Sequence, residues 1–332
     1  MVCPFCLKTK IAFNKNKPVG GGTSVHTCPH CGEPVPGLYV RDYRSYRPVV
    51  VNAVGFRQHG KTLYFGALFY VLKKLSLAEH WPDFFTLGLN EDSLNTVYEN
   101  VAMLEKGILP DSTPKNFPRP TMLRVHGIPL HPDRTLLFFD TGGECFERPS
   151  QLVRFAGFVR RARTVLFLVS LPDMDDPAKE MHKLLNTYVV GMGELGGVTR
   201  EQNLVVVYTK ADALIKYLDG WEFLTDYLTH GSLEELADQD HYVRRLHTAS
   251  ERLKKFTRDR LQAAEFLNAA RVNFKAVKYT MISALGAKPD GNRLPVEIVP
   301  RRVLDPLLWM MEKSVPKWKQ LWHLVSNKSI LD

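Results

Sequence analysis

The chain has 332 residues, 45% hydrophobic and 24% charged, with a formal net charge of +9. This is the composition of an ordinary soluble globular protein, and no apolar run approaches the roughly 18 residues of a membrane span. Met1-Val2-Cys3-Pro4-Phe5-Cys6 has neither a basic nor an apolar leader region, so no secretory signal is expected and a cytoplasmic location is. The basic surplus suits a phosphate-bearing partner, whether nucleotide, nucleic acid or anionic lipid, without choosing among them.

Cys3-Pro4-Phe5-Cys6 and Cys28-Pro29-His30-Cys31 are two Cys-x-x-Cys knuckles. Each turns two thiolates toward one point, and together they complete a tetrahedral set that suits Zn²⁺. A redox or disulfide pair is the rival reading, disfavoured in a reducing compartment. Between the knuckles, Ile11-Ala12-Phe13 and Ser24-Val25-His26 flank Gly20-Gly21-Gly22, the pattern of a hairpin, so the start of the chain resembles a zinc ribbon. A closed four-cysteine shell has no open position for catalysis, so a structural or partner-binding role is expected. Pro34-Val35-Pro36-Gly37 reads as a linker, and residues 1–45 are assigned to ribbon and linker, 46–332 to a second domain.

That second domain opens on an apolar strand pattern, Pro48 to Val54, followed by Gly55-Phe56-Arg57-Gln58-His59-Gly60-Lys61-Thr62 and a helical pattern from Leu63 to Leu77. Strand, Gly-x-x-x-x-Gly-Lys-Thr loop and helix form the context of a phosphate-binding loop. Backbone N–H groups from Gly55 to Leu63 would cradle phosphates at a helix N-terminus. Lys61 would reach the β- and γ-phosphates, and the Thr62 hydroxyl would ligate Mg²⁺.

Further strand patterns follow at Thr121–Gly127, Arg134–Phe139, Thr164–Leu171, Asn203–Tyr208 and Lys278–Ile282, mostly separated by helical patterns. Alternation of this kind predicts an α/β fold with a mainly parallel sheet covered by helices on both faces, and ligands at the strands' carboxyl ends. Three of those ends carry candidate site residues. Asp140-Thr141-Gly142-Gly143-Glu144 could hold Mg²⁺ through Asp140 and offer the Gly143 N–H to a γ-phosphate. Thr209-Lys210-Ala211-Asp212 could read guanine, with Asp212 accepting from N1–H and the exocyclic amine and the Lys210 stem covering the base. Ser283-Ala284-Leu285 could give a backbone N–H to the guanine carbonyl.

In this order, Gly55–Thr62, Asp140–Glu144, Thr209–Asp212 and Ser283–Leu285 resemble the motifs of small-GTPase-like (TRAFAC-type) P-loop GTPases over roughly residues 46–325. The layout, with a cysteine-knuckle start, is also similar to bacterial GTPases encoded with partner proteins in conflict-type systems. The resemblance implies GTP and GDP as ligands, Mg²⁺ as cofactor and a protein partner or effector.

The chain departs from that pattern in several places. Insertions are expected at about 78–120 and 213–277, the first holding a helix from Glu91 to Lys106 and a proline-rich loop from Leu109 to Pro120. Thr113 in that loop is the candidate switch threonine for Mg²⁺, with Ser112 and Thr121 as rivals. Glu144 stands where many relatives carry the water-orienting glutamine; it could act as a base or repel the γ-phosphate. Arg57 could supply positive charge to the γ-phosphate, block the water, or be a solvated rim charge. Thr209 replaces the more frequent asparagine. His241 to Ala270 is a long basic amphipathic pattern, usually a solvated face and less often a nucleic-acid surface. The stretch from Val303 to Val325 reads as a closing helix with Trp309, Trp318 and Trp322. The expectation is a guanine-nucleotide switch that hydrolyses GTP slowly. The alternatives are a hydrolysis-deficient scaffold and, ranked last, a nucleic-acid-associated NTPase.

Overall fold

The computed structural model describes residues 1–16, 25–110, 117–230, 233–291, 293–294 and 297–311. Three short antiparallel strands, β1 (Asn14–Asn16), β2 (Val25–Thr27) and β3 (Pro34–Val35), form the N-terminal sheet, and helix α1 (Gly37–Arg41) follows. The tri-glycine of the expected hairpin lies outside the described residues.

The large sheet contains β4 (Arg47–Val54), β5 (Phe85–Gly88), β6 (Thr121–His126), β7 (Arg134–Phe139), β8 (Thr164–Val169), β9 (Asn203–Tyr208) and β10 (Ala276–Met281). Their spatial order is β10-β9-β8-β4-β7-β6-β5. β4 runs parallel to β7 and β8, and β8, β9 and β10 continue the parallel set. β6 and β5 close one edge in antiparallel pairing. The helices are α2 (Lys61–Lys74), α3 (Leu77–His80), α4 (Glu91–Glu105), α5 (Pro149–Phe155), α6 (Pro177–Glu194), α7 (Glu222–Thr229), α8 (Gln239–Asp259), α9 (Ala264–Asn273) and α10 (Asp305–Met311). Side-chain carboxamide or carboxylate caps start three of them: Asn90 accepts from the Ser93 N–H, Asp176 from Lys179 and Asp238 from His241.

The central strands read as nearly continuous apolar runs because helices bury both their faces. In β4, Val51 and Ala53 pack with Phe65 and Leu68 of α2, Val97 of α4 and Leu307 of α10. Val50 and Val54 face the other way, toward the layer holding Leu152 of α5, Leu184 and Tyr188 of α6 and Phe266 of α9. The ribbon joins this second layer: Cys3, Leu7, Cys28, Val35 and Tyr39 belong to the same apolar cluster as Met122 and Leu137. Arg124 of β6 anchors the junction, 3.0 Å from Asp42 and 4.0 Å above the Tyr46 ring.

Two elements differ from expectation. β5 was not foreseen; its four residues are too short and too exposed to show a period, and it stands as a strand only because β6 offers it a partner. The His241–Ala270 pattern, expected as one long helix, is two helices. The chain turns at Gln262, whose φ is 54°, and the Ala263 N–H donates to the Thr257 carbonyl at 3.1 Å. Leu253 and Phe256 before the turn, and Phe266 and Ala270 after it, all enter the same cluster. Hydrophobic period therefore continues across the break and hides it. Trp309 is buried in α10, as a closing helix requires, whereas Trp318 and Trp322 lie outside the described residues.

Candidate functional site

Strand order reverses at β4, which has β7 on one side and β8 on the other, both parallel to it. In an open α/β sheet the crevice beyond the carboxyl ends at such a reversal is where ligands bind. The loop from Gly55 to Gly60 occupies that place and runs directly into α2. Gly60, at the N-terminus of α2, is left-handed (φ 79°), a conformation glycine takes without strain.

Lys61 is buried, and its Nζ donates to the Gly55 and Phe56 carbonyls at 3.0 and 2.8 Å. Burial pulls its ammonium down to about 8, with the neighbouring Asp140 and Glu144 carboxylates opposing the fall. The Thr62 hydroxyl donates to Asp140 at 2.9 Å, bringing together the two residues expected to share Mg²⁺ from opposite sides of the crevice. Gly143 lies hard against the loop: a Cβ there would sit 2.5 Å from the Arg57 nitrogen and 2.6 Å from the Phe56 carbonyl carbon. Only glycine permits that approach. Beside it, Glu144 pairs with Arg57 at 3.1 Å, and Arg57 is otherwise largely exposed.

Gln58 is exposed at the loop tip in a left-handed conformation (φ 63°). The His59 side chain turns away from the crevice. It is buried, it donates from Nδ1 to the Leu168 carbonyl at 2.8 Å, and burial lowers it to about 4, so the ring is neutral. His59 thus ties the loop to the end of β8. Leu63 packs at the edge of a small apolar cluster that also contains Leu285, linking the first turn of α2 to the loop after β10.

At the other end of the crevice, the buried Thr209 hydroxyl lies 3.1 Å from the His59 carbonyl. That bond braces the phosphate loop from β9, a task a threonine hydroxyl performs without asparagine. Asp212 accepts from the Ser283 hydroxyl at 2.5 Å, and Ser283 oxygen in turn accepts from the Gly286 N–H at 3.0 Å. The Ser283 backbone is already engaged in both directions with Arg301, at 3.1 and 2.8 Å. Its own N–H is therefore already occupied. The Ser283 hydroxyl holds Asp212, and Ala284, half-buried, is the next position along the loop. Lys210 adopts a left-handed backbone (φ 53°), and its ammonium lies 2.6 Å from Asp173, a residue the sequence reading did not select. Thr113 and Ser112 lie outside the described residues.

The second candidate site is the cysteine cluster. Ligand sulfurs of Cys3, Cys6, Cys28 and Cys31 all lie within 4.8 Å of one another. Sulfurs of Cys3 and Cys31 are 3.8 Å apart and those of Cys6 and Cys28 3.9 Å apart. Four sulfurs at about 2.3 Å from one Zn²⁺ would be separated by about 3.8 Å, so the set fits that ion. Burial raises Cys28, but N–H groups of Cys31 and His30 outweigh it and bring the thiol to about 7; burial wins at Cys3 and Cys31, which are raised. Cys145, the fifth cysteine, is buried 3.3 Å from the Thr141 hydroxyl and is distant in role from this cluster.

Fold and loops together define a mainly parallel α/β domain, with a Gly-x-x-x-x-Gly-Lys-Thr loop at the end of β4, joined to a four-cysteine ribbon. Among solved structures the chain is similar to the GTPase-like domain of S. cerevisiae Ski7 bound to GDP and inorganic phosphate, with 13% identity, a TM-score of 0.35, and coverage of 83% of this chain and 52% of that one. It is similar also to the same domain bound to GTP (14%, 0.34, 83% and 52%). A third is Sup35 complexed with GDP (12%, 0.30, 84% and 48%). The chain thus spans about half the length of these solved chains. No protein-family model matches it, and no curated protein matches it in sequence.

Proposed function

We propose that the chain is a guanine-nucleotide-binding switch that takes up Mg-GTP, hydrolyses it slowly to GDP and thereby controls a protein partner. The observation that carries this is the convergence on one crevice of Lys61, the Thr62–Asp140 pair and the Ser283-aimed Asp212, from the ends of four parallel strands. Lys61 and the loop amides would bind the β- and γ-phosphates, and the Asp212 carboxylate would accept the N1–H and amine of guanine. Thr62 and Asp140 are the residues that would hold Mg²⁺, which supplies charge neutralisation on the phosphates.

Slow turnover is supported by Glu144. A carboxylate paired to Arg57 is a poor device for orienting an attacking water, and unpaired it would face the γ-phosphate's negative charge. The same pair favours a second reading, a hydrolysis-deficient scaffold that holds GTP without consuming it. The test is calorimetric titration of the full chain with GTP, GDP and ATP in Mg²⁺, followed by single-turnover hydrolysis. Guanine-selective binding with measurable phosphate release, lost in Lys61→Ala, is the expected result. Equal binding of ATP and GTP removes the guanine assignment, and binding without release moves the chain to the scaffold reading.

The ribbon is assigned a structural role through Zn²⁺, since Cys3 and Cys28 belong to the same apolar cluster as the sheet and Cys6 packs against it. Among the described residues no helix is long and apolar enough to cross a membrane. We place the protein in the cytosol, where thiolate ligands stay reduced.

A further inference from the structure

β8, β9 and β10 end side by side at the base side of the crevice, and Asp173 lies among those ends. Asp173 lies in the short 3-10 turn Leu171–Asp173 that follows β8. It is fixed from two directions. The buried Ser170 hydroxyl donates to its Oδ2, and its own N–H donates to the Ser170 carbonyl at 3.1 Å. The same Oδ2 receives the Lys210 ammonium at 2.6 Å.

Lys210 is placed at some cost. A left-handed backbone is unfavourable for a residue with a Cβ, and such strain persists where surrounding structure imposes it. Here the neighbours that impose it are visible. The Thr209 N–H continues the ladder to the Val169 carbonyl at 2.9 Å, and the Ala211 N–H donates to Ile282 at 3.0 Å. The chain therefore must turn sharply between two tied residues, and the turn throws the Lys210 stem across the mouth toward Asp173. A free lysine stem is the most entropically expensive side chain to order on binding. With its ammonium held, the four-carbon stem is ordered before a ligand arrives.

We propose that Asp173 is a positioning residue for nucleotide binding, which acts by pinning Lys210 so that its apolar stem forms one wall of the base site. This rests on the guanine-nucleotide reading given above. A stem that covers a base face reads no hydrogen-bonding edge. Asp173 therefore sets affinity for any purine nucleotide the crevice accepts, while Asp212 sets the preference among them.

The experiment is a double-mutant cycle on the full chain, Asp173→Asn and Lys210→Ala singly and together, titrated with GTP, GDP and ATP in Mg²⁺. Ordering one long side chain is worth about 0.5–1.5 kcal/mol, so Asp173→Asn is expected to weaken GTP and GDP alike by about 2- to 12-fold. The GTP-to-ATP ratio stays as in the wild type, and the double variant binds no worse than Lys210→Ala alone. A purely structural role for Asp173 would instead persist in the Lys210→Ala background, and additive losses would overturn the proposal. So would an Asp173→Asn variant that binds as tightly as the wild type or more tightly, since that would make the ion pair a competitor of the ligand. Failure of the underlying reading looks different: wild-type protein would not prefer GTP to ATP, or Asp212→Asn would leave that preference untouched, and both inferences would fall together.

Discussion

The two ends of the crevice are prepared differently. At the phosphate end the polar and charged groups already have partners within the protein: Lys61 has the loop's own carbonyls, Arg57 has Glu144, and Thr62 has Asp140. A triphosphate must take these partners away. At the base end the groups are already held, Asp212 by Ser283 and Lys210 by Asp173. Preformed groups cost little when the ligand arrives, whereas exchanged groups return only the difference between old and new bonds. On the proposed function, base recognition is built into the fold, and the phosphate end is where binding does work on the structure. A switch needs that arrangement, because only a ligand that makes different contacts in two states can move a protein between them.

The largest test of this contrast is Lys61→Met. Losing the one buried cation of the phosphate loop should weaken GTP by about 100-fold or more, read by calorimetry, since uncompensated charge interactions of this kind cost about 3–5 kcal/mol. The nucleotide-free variant should melt higher than the wild type, because a buried ammonium has been replaced by an apolar stem. A lower melting temperature would mean that the two carbonyl bonds outweigh the burial of charge.

Asp212→Asn comes next. Two charge-assisted hydrogen bonds at about 1.5 kcal/mol or more each predict a loss of roughly 100-fold in GTP affinity, with xanthine nucleotide bound better than GTP. Competition titrations with the two nucleotides measure it. If GTP affinity holds, the base end is not preformed for guanine.

Thr209→Ala tests the tie between the ends, since its hydroxyl is the bond from β9 to the phosphate loop. Removing a buried hydrogen bond of about 1 kcal/mol should weaken GTP by about 5-fold, with no change in base preference. A change in preference without a change in affinity would place Thr209 at the base and not at the loop.

The Arg57–Glu144 pair is partly solvated, so effects of a few fold are expected, but their signs are informative. Glu144→Ala should favour GTP over GDP, because a negative neighbour of the γ-phosphate is gone. Arg57→Ala should do the reverse. Equal behaviour toward GTP and GDP in both variants would remove the pair from the γ-phosphate's surroundings.

The smallest effect is in protons. Lys61 is lowered from its ordinary 10.5 to about 8 in the nucleotide-free fold. Polyphosphate beside it must raise it again, so binding between about pH 8 and 10 should take up a fraction of a proton, and affinity should fall as pH rises through that window. The nucleotide-free fold behaves oppositely. Its unfolded chain holds the Lys61 proton more tightly, so this residue's contribution to stability rises with pH from about 8 to 10.5. Titration in buffers of different ionisation enthalpy, with Lys61→Met as control, reads the proton uptake.

Much of this was visible in the chain before any fold was known. Sequence pattern sufficed where a backbone requirement forces a residue type: glycines at the tight loop, cysteines in two knuckles, apolar strands buried on both faces, and acids placed where those strands end. Such requirements are local and leave a local mark.

Other features became fixed only when distant segments met. β5 exists because β6 lends it an edge, and the break between α8 and α9 is concealed because Leu253 and Phe256 before it and Phe266 and Ala270 after it enter one apolar cluster. Ser283 lies 71 residues from the carboxylate it aims. Its backbone is taken by Arg301, and nothing in Ser283-Ala284-Leu285 announces that. Asp173 looks in sequence like any acid in a turn, and becomes part of the site only because β8 and β9 end side by side. Patterns of residue type follow from the backbone each segment must adopt. Which side chains hold one another is settled by packing between strands far apart in the chain.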